Sequence, residues 1–149
     1  MIQNILIENI YAELVCPINE KIYRLLPGQG RYPRSQWIGS DGRKISKHRV
    51  RTKIVHLIET PHYKFLSGDR KSYEEYMNKS GWSNYGTQHS PENFTKLSRF
   101  FGIYLAKPYE NNHIICKMRD GKYVIVDGLH RMSIIKFRNP KQKYIKIKV

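Results

Sequence analysis

Cysteine is close to absent: the chain holds only Cys16 and Cys116, far apart in sequence. Such a pair supplies neither a disulfide framework nor a zinc ligand set, so a cytoplasmic protein with reduced thiols is the expectation. Acidic residues are scarce as well, 12 against 27 Lys and Arg. They are scattered, and no two stand at a spacing that suggests two-metal chemistry. No apolar run approaches the length of a membrane span. The opening "MIQNILIENIYAELV" has no basic leader and carries Glu8 and Glu13, so it does not read as a signal peptide. Internal repeats and low-complexity linkers are missing too.

What remains is the composition of a folded domain. Hydrophobic residues make up 40% of 149 positions, with 11 Tyr, 5 Phe and 2 Trp, enough to bury a core as a single domain. The formal charge of +15 favours polyanionic partners: nucleic acid, nucleotides, an anionic membrane surface or an anionic saccharide. A general lysine-rich bias produces the same number without any such partner.

Residues 5–26 contain the apolar runs "ILI", "IYAELV" and "IYRLL", and periodicity leaves open whether these are strands or a helix. "PGQGRYPRSQWIGSDGRK" (27–44) reads as a long loop. The run "RKISKHRVRTK" (43–53) carries Arg43, Lys44, Lys47, Arg49, Arg51 and Lys53 with no acid. It suits either a phosphate-tracking patch or a strand edge protected by positive charge. "HLIETPHYKFLSGD" (56–69) predicts a helix ending near Thr60-Pro61, followed by an aromatic turn. "DRKSYEEYMNKSG" predicts a helix capped by Asp69 or Ser72 and stopped by Gly81. "HSPENFTKLSRFFGIYL" has the clearest helix start: Ser90 as N-cap, Pro91 at the first position and Glu92 near the positive end of the dipole. Phe94, Leu97, Phe101 and Leu105 then share a core-facing stripe. Tyr73, Tyr76, Trp37 and Trp82 read as core or loop anchors.

"HIICKM" and "KYVIVD" predict two strands joined at Asp120-Gly121, a hairpin signal. A short helix follows from about His130 to Phe137, then a closing strand "KQKYIKIKV" with Tyr144, Ile145, Ile147 and Val149 at apolar positions. The fold class this gives is α+β, a small mixed β-sheet packed with helices.

Between strand and helix stands Asp127-Gly128-Leu129-His130-Arg131. The first amides of a helix lack intrahelical partners and carry the positive end of the dipole, so an anion is stabilised there. Gly128 lets backbone approach a ligand, Arg131 can grip two phosphate oxygens, and His130 can donate to a third or move a proton. Asp127 repels a bare phosphate and makes sense as a magnesium ligand, a base for a substrate hydroxyl, or a helix cap. An ordinary strand-to-helix corner uses the same residue types.

"GKYVIVDGLHRMSIIKF" followed by "YIKIKV" resembles the ParB/sulfiredoxin superfamily, whose hallmark is a Gly-x-x-Arg or Gly-x-His-Arg turn at the head of a helix. The resemblance covers about residues 112–149 and extends more loosely through the helix that begins at Pro91. Residues 89–149 are thus the motif-bearing part, and 1–88 an N-terminal lobe without such a match. The resemblance implies that Gly128, Leu129, His130 and Arg131 hold nucleotide phosphates. Sulfiredoxins carry a catalytic cysteine where Leu129 stands, so sulfinic acid repair is not expected. Partition proteins carry Arg-Arg instead of His-Arg and add a helix-turn-helix, whereas this chain closes at Val149.

The DGxHR form looks most like free serine kinases and related stand-alone members, some of them similar to accessory proteins of surface-polysaccharide synthesis. That implies an ATP- or ADP-dependent, magnesium-using phosphotransferase acting on a small hydroxylated molecule or a saccharide. Asp127 and His130 are the catalytic candidates. Glu59 and Asp69 are candidates for a second carboxylate, with His62 as a partner, although each also suits a purely structural place. The alternative is a ParB-like nucleic-acid-binding protein or nuclease using the 43–53 basic run.

Overall fold

A computed structural model describes residues 1–16, 24–26, 36–38, 44–45, 51–80, 89–105 and 113–149. Strands β1 (Ile2–Leu6) and β2 (Ile10–Cys16) are separated by a single 3-10 turn at Ile7–Asn9, which settles the early apolar runs as strands. Three short strands follow: β3 (Arg24–Leu26), β4 (Gln36–Ile38) and β5 (Lys44–Ile45), paired antiparallel in that order as a separate small sheet. The stretch expected to be loop throughout therefore contains strand β4. Trp37 and Ile38 give it the aromatic and β-branched character that strands favour.

Strand β6 (Arg51–His56) precedes helices α1 (Pro61–Leu66), α2 (Arg70–Ser80) and α3 (Pro91–Leu105). Then come β7 (Ile114–Arg119), β8 (Lys122–Asp127), α4 (Leu129–Arg138) and β9 (Tyr144–Lys148). Six strands form one mixed sheet in the order β1-β9-β7-β8-β2-β6. β9 runs parallel to β7, and β2 parallel to β8; the other neighbours are antiparallel. With four helices among the described residues, the α+β class holds.

Register explains the core. Ile5 lies opposite Ile145, Ile114 opposite Ile147, and Cys116 opposite Ile125, so these side chains share one face. All are buried in one cluster with Tyr73 and Met77 of α2, Phe94 and Phe101 of α3, and Met132, Ile134 and Ile135 of α4. In β9 only Ile145 and Ile147 turn inward. Tyr144 and Val149, expected at apolar positions, are 52% and 38% exposed: alternation sends Tyr144 to the other face, and Val149 lies past the end of the strand. The β7–β8 turn places Asp120 and Gly121 at φ 50 and 75, both left-handed, as a two-residue hairpin matching the strand twist requires.

Two helix starts follow their sequence signals. Asp69 Oδ1 accepts the Ser72 N–H at 3.1 Å, and Ser90 Oγ accepts the Asn93 N–H at 3.1 Å. A third runs opposite to expectation. The segment before Thr60 is strand β6 and a 3-10 turn (Leu57–Glu59), and the helix begins at Pro61 rather than ending there. Thr60 is extended at ψ 148, as a residue before proline prefers. Its Oγ1 accepts the Tyr63 N–H at 3.0 Å and donates to the Leu57 carbonyl at 2.7 Å. Thr-Pro is here an N-cap followed by an N1 proline.

Because Thr60 is fully buried and satisfies both the 3-10 turn and α1, Thr60→Ala should lower stability by about 1–2 kcal/mol. Thr60→Ser should restore most of it. Urea unfolding of the three proteins checks this.

Candidate functional site

β8 ends at Asp127 and α4 starts at Leu129, leaving Gly128 as the N-cap residue at φ 104. A Cβ at that position would lie 2.7 Å from Cδ1 of Ile114 and 2.9 Å from Nη2 of Arg131. Glycine is thus required both by its left-handed backbone and by the neighbours packed against it. The Gly128 carbonyl accepts the Met132 N–H at 2.8 Å, the first bond of the helix, and Gly128 itself has no side chain to cap the helix start. The amides of the first turn, beginning with Leu129, have no intrahelical acceptor. Arg131 folds back beside Gly128 and faces the Asp127 carboxylate across 3.4 Å.

This corner opens into a cavity of about 500 Å³, within the range of small-molecule sites. Asp127 through Arg131 form one wall, and Ile125, Phe94 and Leu97 supply apolar surface. Glu13, His62, Tyr76 and Met77 also line it, so the N-terminal half of the chain completes the sheet and also walls the cavity. Glu13 is ion-paired with Arg119.

Three histidines meet in that wall. The His130 ring stacks on His89 at 4.3 Å and 11°, and meets His62 edge-on at 4.6 Å and 83°. Phe94 stands 4.7 Å from the same ring. The Tyr73 hydroxyl lies 2.6 Å from the His89 carbonyl oxygen and 2.9 Å from Nε2 of His130. Burial pushes His62 down to about 3, helped by nearby His89. Burial also holds His130 well below the ordinary imidazole range, reinforced by His62 and His89. His89 is lowered by burial, against the opposing pull of Asp127. Nδ1 of His62 is buried with no hydrogen-bond partner among the described residues.

The structure thus brings together Asp127, Gly128, Leu129, His130 and Arg131, and adds His62 to them. Glu59 is exposed on the 3-10 turn and Asp69 is the exposed cap of α2; neither lines the cavity. Of the basic run, Lys44 lies in β5, and Arg51 and Lys53 in β6 at one edge of the large sheet. Arg43, Lys47 and Arg49 lie outside the described residues. Sequence reasoning did not find the part played by Tyr73 and His89. These reach His130 across the fold, and no local spacing announces such a meeting. Among the described residues no three His, Cys, Asp or Glu are gathered to hold a metal ion.

No family model, curated protein or solved structure matches the chain.

The neutral histidines set a pH dependence. An unfolded imidazole binds a proton below about pH 6.5, whereas these folded rings refuse it. Stability is therefore full above that pH and falls on acidification, by about 1.4 kcal/mol per pH unit for each ring still neutral in the fold. For His62 the window runs from 6.5 down to about 3. The lowered carboxyls of Asp69 and Glu92 act only below about pH 4.5. The melting temperature should fall between pH 7 and pH 5, and fall less in His62→Phe, as thermal melts across that range would show. An unchanged melting temperature would contradict a neutral cluster.

Proposed function

We propose that the cavity at the β8–α4 corner is a nucleotide site and that the protein is a phosphotransferase. The donor is ATP or ADP, and the acceptor a small hydroxylated molecule or a saccharide. The observation that carries this reading is the uncapped start of α4, with Arg131 beside it, opening into a 500 Å³ cavity. The amides of the first turn and the Arg131 guanidinium supply donors for phosphate oxygens. Ile125, Phe94 and Leu97 supply apolar surface for a base. Phosphoryl transfer asks mainly for positioning and charge neutralisation, which such a corner can provide.

Electrostatics refine the ligand. With the three rings held neutral, the charged residues of the lining among the described residues are Glu13, Asp127 and Arg131. A carboxylate beside the phosphates suits a ligand that arrives with its own cation. One carboxylate plus phosphate oxygens and water is a usual way to hold magnesium, and Asp127 is the residue placed to do it. Magnesium would supply neutralisation of the charge on the phosphates. The residues expected as a second carboxylate, Glu59 and Asp69, stand away from this cavity; its described lining holds Glu13, ion-paired with Arg119, besides Asp127.

The alternative, nucleic-acid reading rests on the basic run, of which Lys44, Arg51 and Lys53 lie in described strands and Lys53 stands exposed on an edge strand.

ATP or ADP with magnesium should raise the melting temperature of the wild type, and Arg131→Ala should abolish the increase. Gly128→Ala should do the same and cost about 1–3 kcal/mol of stability, from a left-handed alanine and the displaced Arg131. Thermal-shift measurements with and without nucleotide test both. If no nucleotide stabilises the wild type, the reading fails. DNA or RNA binding that persists at physiological salt would favour the alternative.

A further inference from the structure

A tyrosine hydroxyl carries one proton, and Tyr73 has two polar neighbours. Its oxygen lies 2.6 Å from the His89 carbonyl oxygen. A carbonyl only accepts, so two oxygens at that distance need a proton between them. The Tyr73 proton is therefore committed to His89, and burial, which raises the phenol, keeps it there. The second neighbour, Nε2 of His130 at 2.9 Å, must then be the donor, its N–H pointing at the phenolic oxygen. A neutral imidazole protonated at Nε2 has a bare lone pair at Nδ1. No described residue bonds to that Nδ1. It is not one of the sealed polar atoms either, and its ring is part of the cavity wall.

We infer that Tyr73 is a positioning residue that holds His130 in the Nε2-protonated form, so that His130 Nδ1 accepts a hydrogen bond from a neutral hydroxyl or amino group of the phosphate-bearing ligand. This rests on the nucleotide reading of the cavity and gives His130 a different part in it. The side chain is not a phosphate donor: its only proton is spent on Tyr73, and a bare nitrogen lone pair repels phosphate oxygens. His130 contributes to the anion through its backbone amide in the first turn of α4, and its ring faces the uncharged part of the ligand. Burial of the ring, reinforced by His62 and His89 packed against it, disfavours protonation and a switch to the donor role. The cavity is thereby divided. Donors gather at Leu129 to Arg131, and an acceptor stands where a nucleotide presents its sugar hydroxyls or base amine.

Nitrogen-15 NMR of the imidazoles tests this in the intact protein. In the free wild type, His130 should show a protonated Nε2 and an unprotonated Nδ1 as one slow-exchanging species. A resonance averaged between the two forms, or a protonated Nδ1, would overturn the assignment. In Tyr73→Phe the single form should give way to a mixture, and ADP should bind up to about tenfold more weakly, the loss of one hydrogen-bond's worth of preorganisation. If Tyr73→Phe unfolds, the wild-type spectrum still decides the tautomer.

Titrations with magnesium-ADP and with magnesium-pyrophosphate decide what Nδ1 meets. ADP should move both the Leu129 amide and His130 Nδ1, and pyrophosphate the amide alone. Movement of Nδ1 by both ligands would mean that it senses charge, which overturns the inference. Movement of the amide but not of Nδ1 by ADP also overturns it, while leaving the nucleotide reading intact. If neither ligand moves anything, both fall.

Discussion

The corner between β8 and α4 has no room for a side chain, and the geometry of the site follows from that. At φ 104 the chain turns from sheet to helix within one residue, and Ile114 and Arg131 occupy the space that a Cβ would need. Because Ile114 belongs to β7, next to β8 in the sheet, the corner is pinned from the core side as well as by its own backbone. The start of α4 is thereby fixed relative to the sheet, and its first turn, Leu129 to Arg131, lines the cavity. A looser corner would let α4 rotate and let the amides find a side-chain acceptor of their own.

Tyr73 is the second fixed point, and it ties together parts of the chain that local sequence does not connect. From α2 it reaches the His89 carbonyl just before α3 and the His130 ring in α4, while packing on Phe65 and Phe94. Three helices are thus joined through one hydroxyl inside an aromatic cluster. In so apolar a setting each hydrogen bond is strong and each unpaired group costly, so the hub specifies one arrangement. Burial in the same cluster lowers the pKa values of the imidazoles. Among the described residues of the lining, Arg131 is the one cationic side chain besides the imidazoles.

What was legible in the sequence is what short spacings encode. Ser90-Pro91, Asp120-Gly121, the alternation of β8 and the Asp127–Arg131 run each state their structure within a few residues. Thr60-Pro61 is also local, but its meaning depends on what lies upstream. Read after an apolar stretch, it looked like a helix stop; placed after strand β6, it is a cap and a first helical residue. The pairing of β2 with both β6 and β8, and the meeting of His62, His89 and His130, depend on contacts between distant segments, which no window of sequence contains. The cavity therefore had one visible wall, the motif, and an opposite wall that only the fold supplies.

The two charged residues of that visible wall are coupled. Without ligand, Arg131 is held beside Gly128 by Asp127 at 3.4 Å, which partly offsets a carboxylate placed near helix amides that attract anions. On the proposed nucleotide reading, a phosphate seated on those amides would share the same guanidinium, whose N–H donors can serve both acceptors. The carboxylate would then stand beside a polyanion, where repulsion favours a metal cation on it. On that reading an acidic residue can belong in an anion site: Asp127 positions the arginine and would offer a ligand for the accompanying cation.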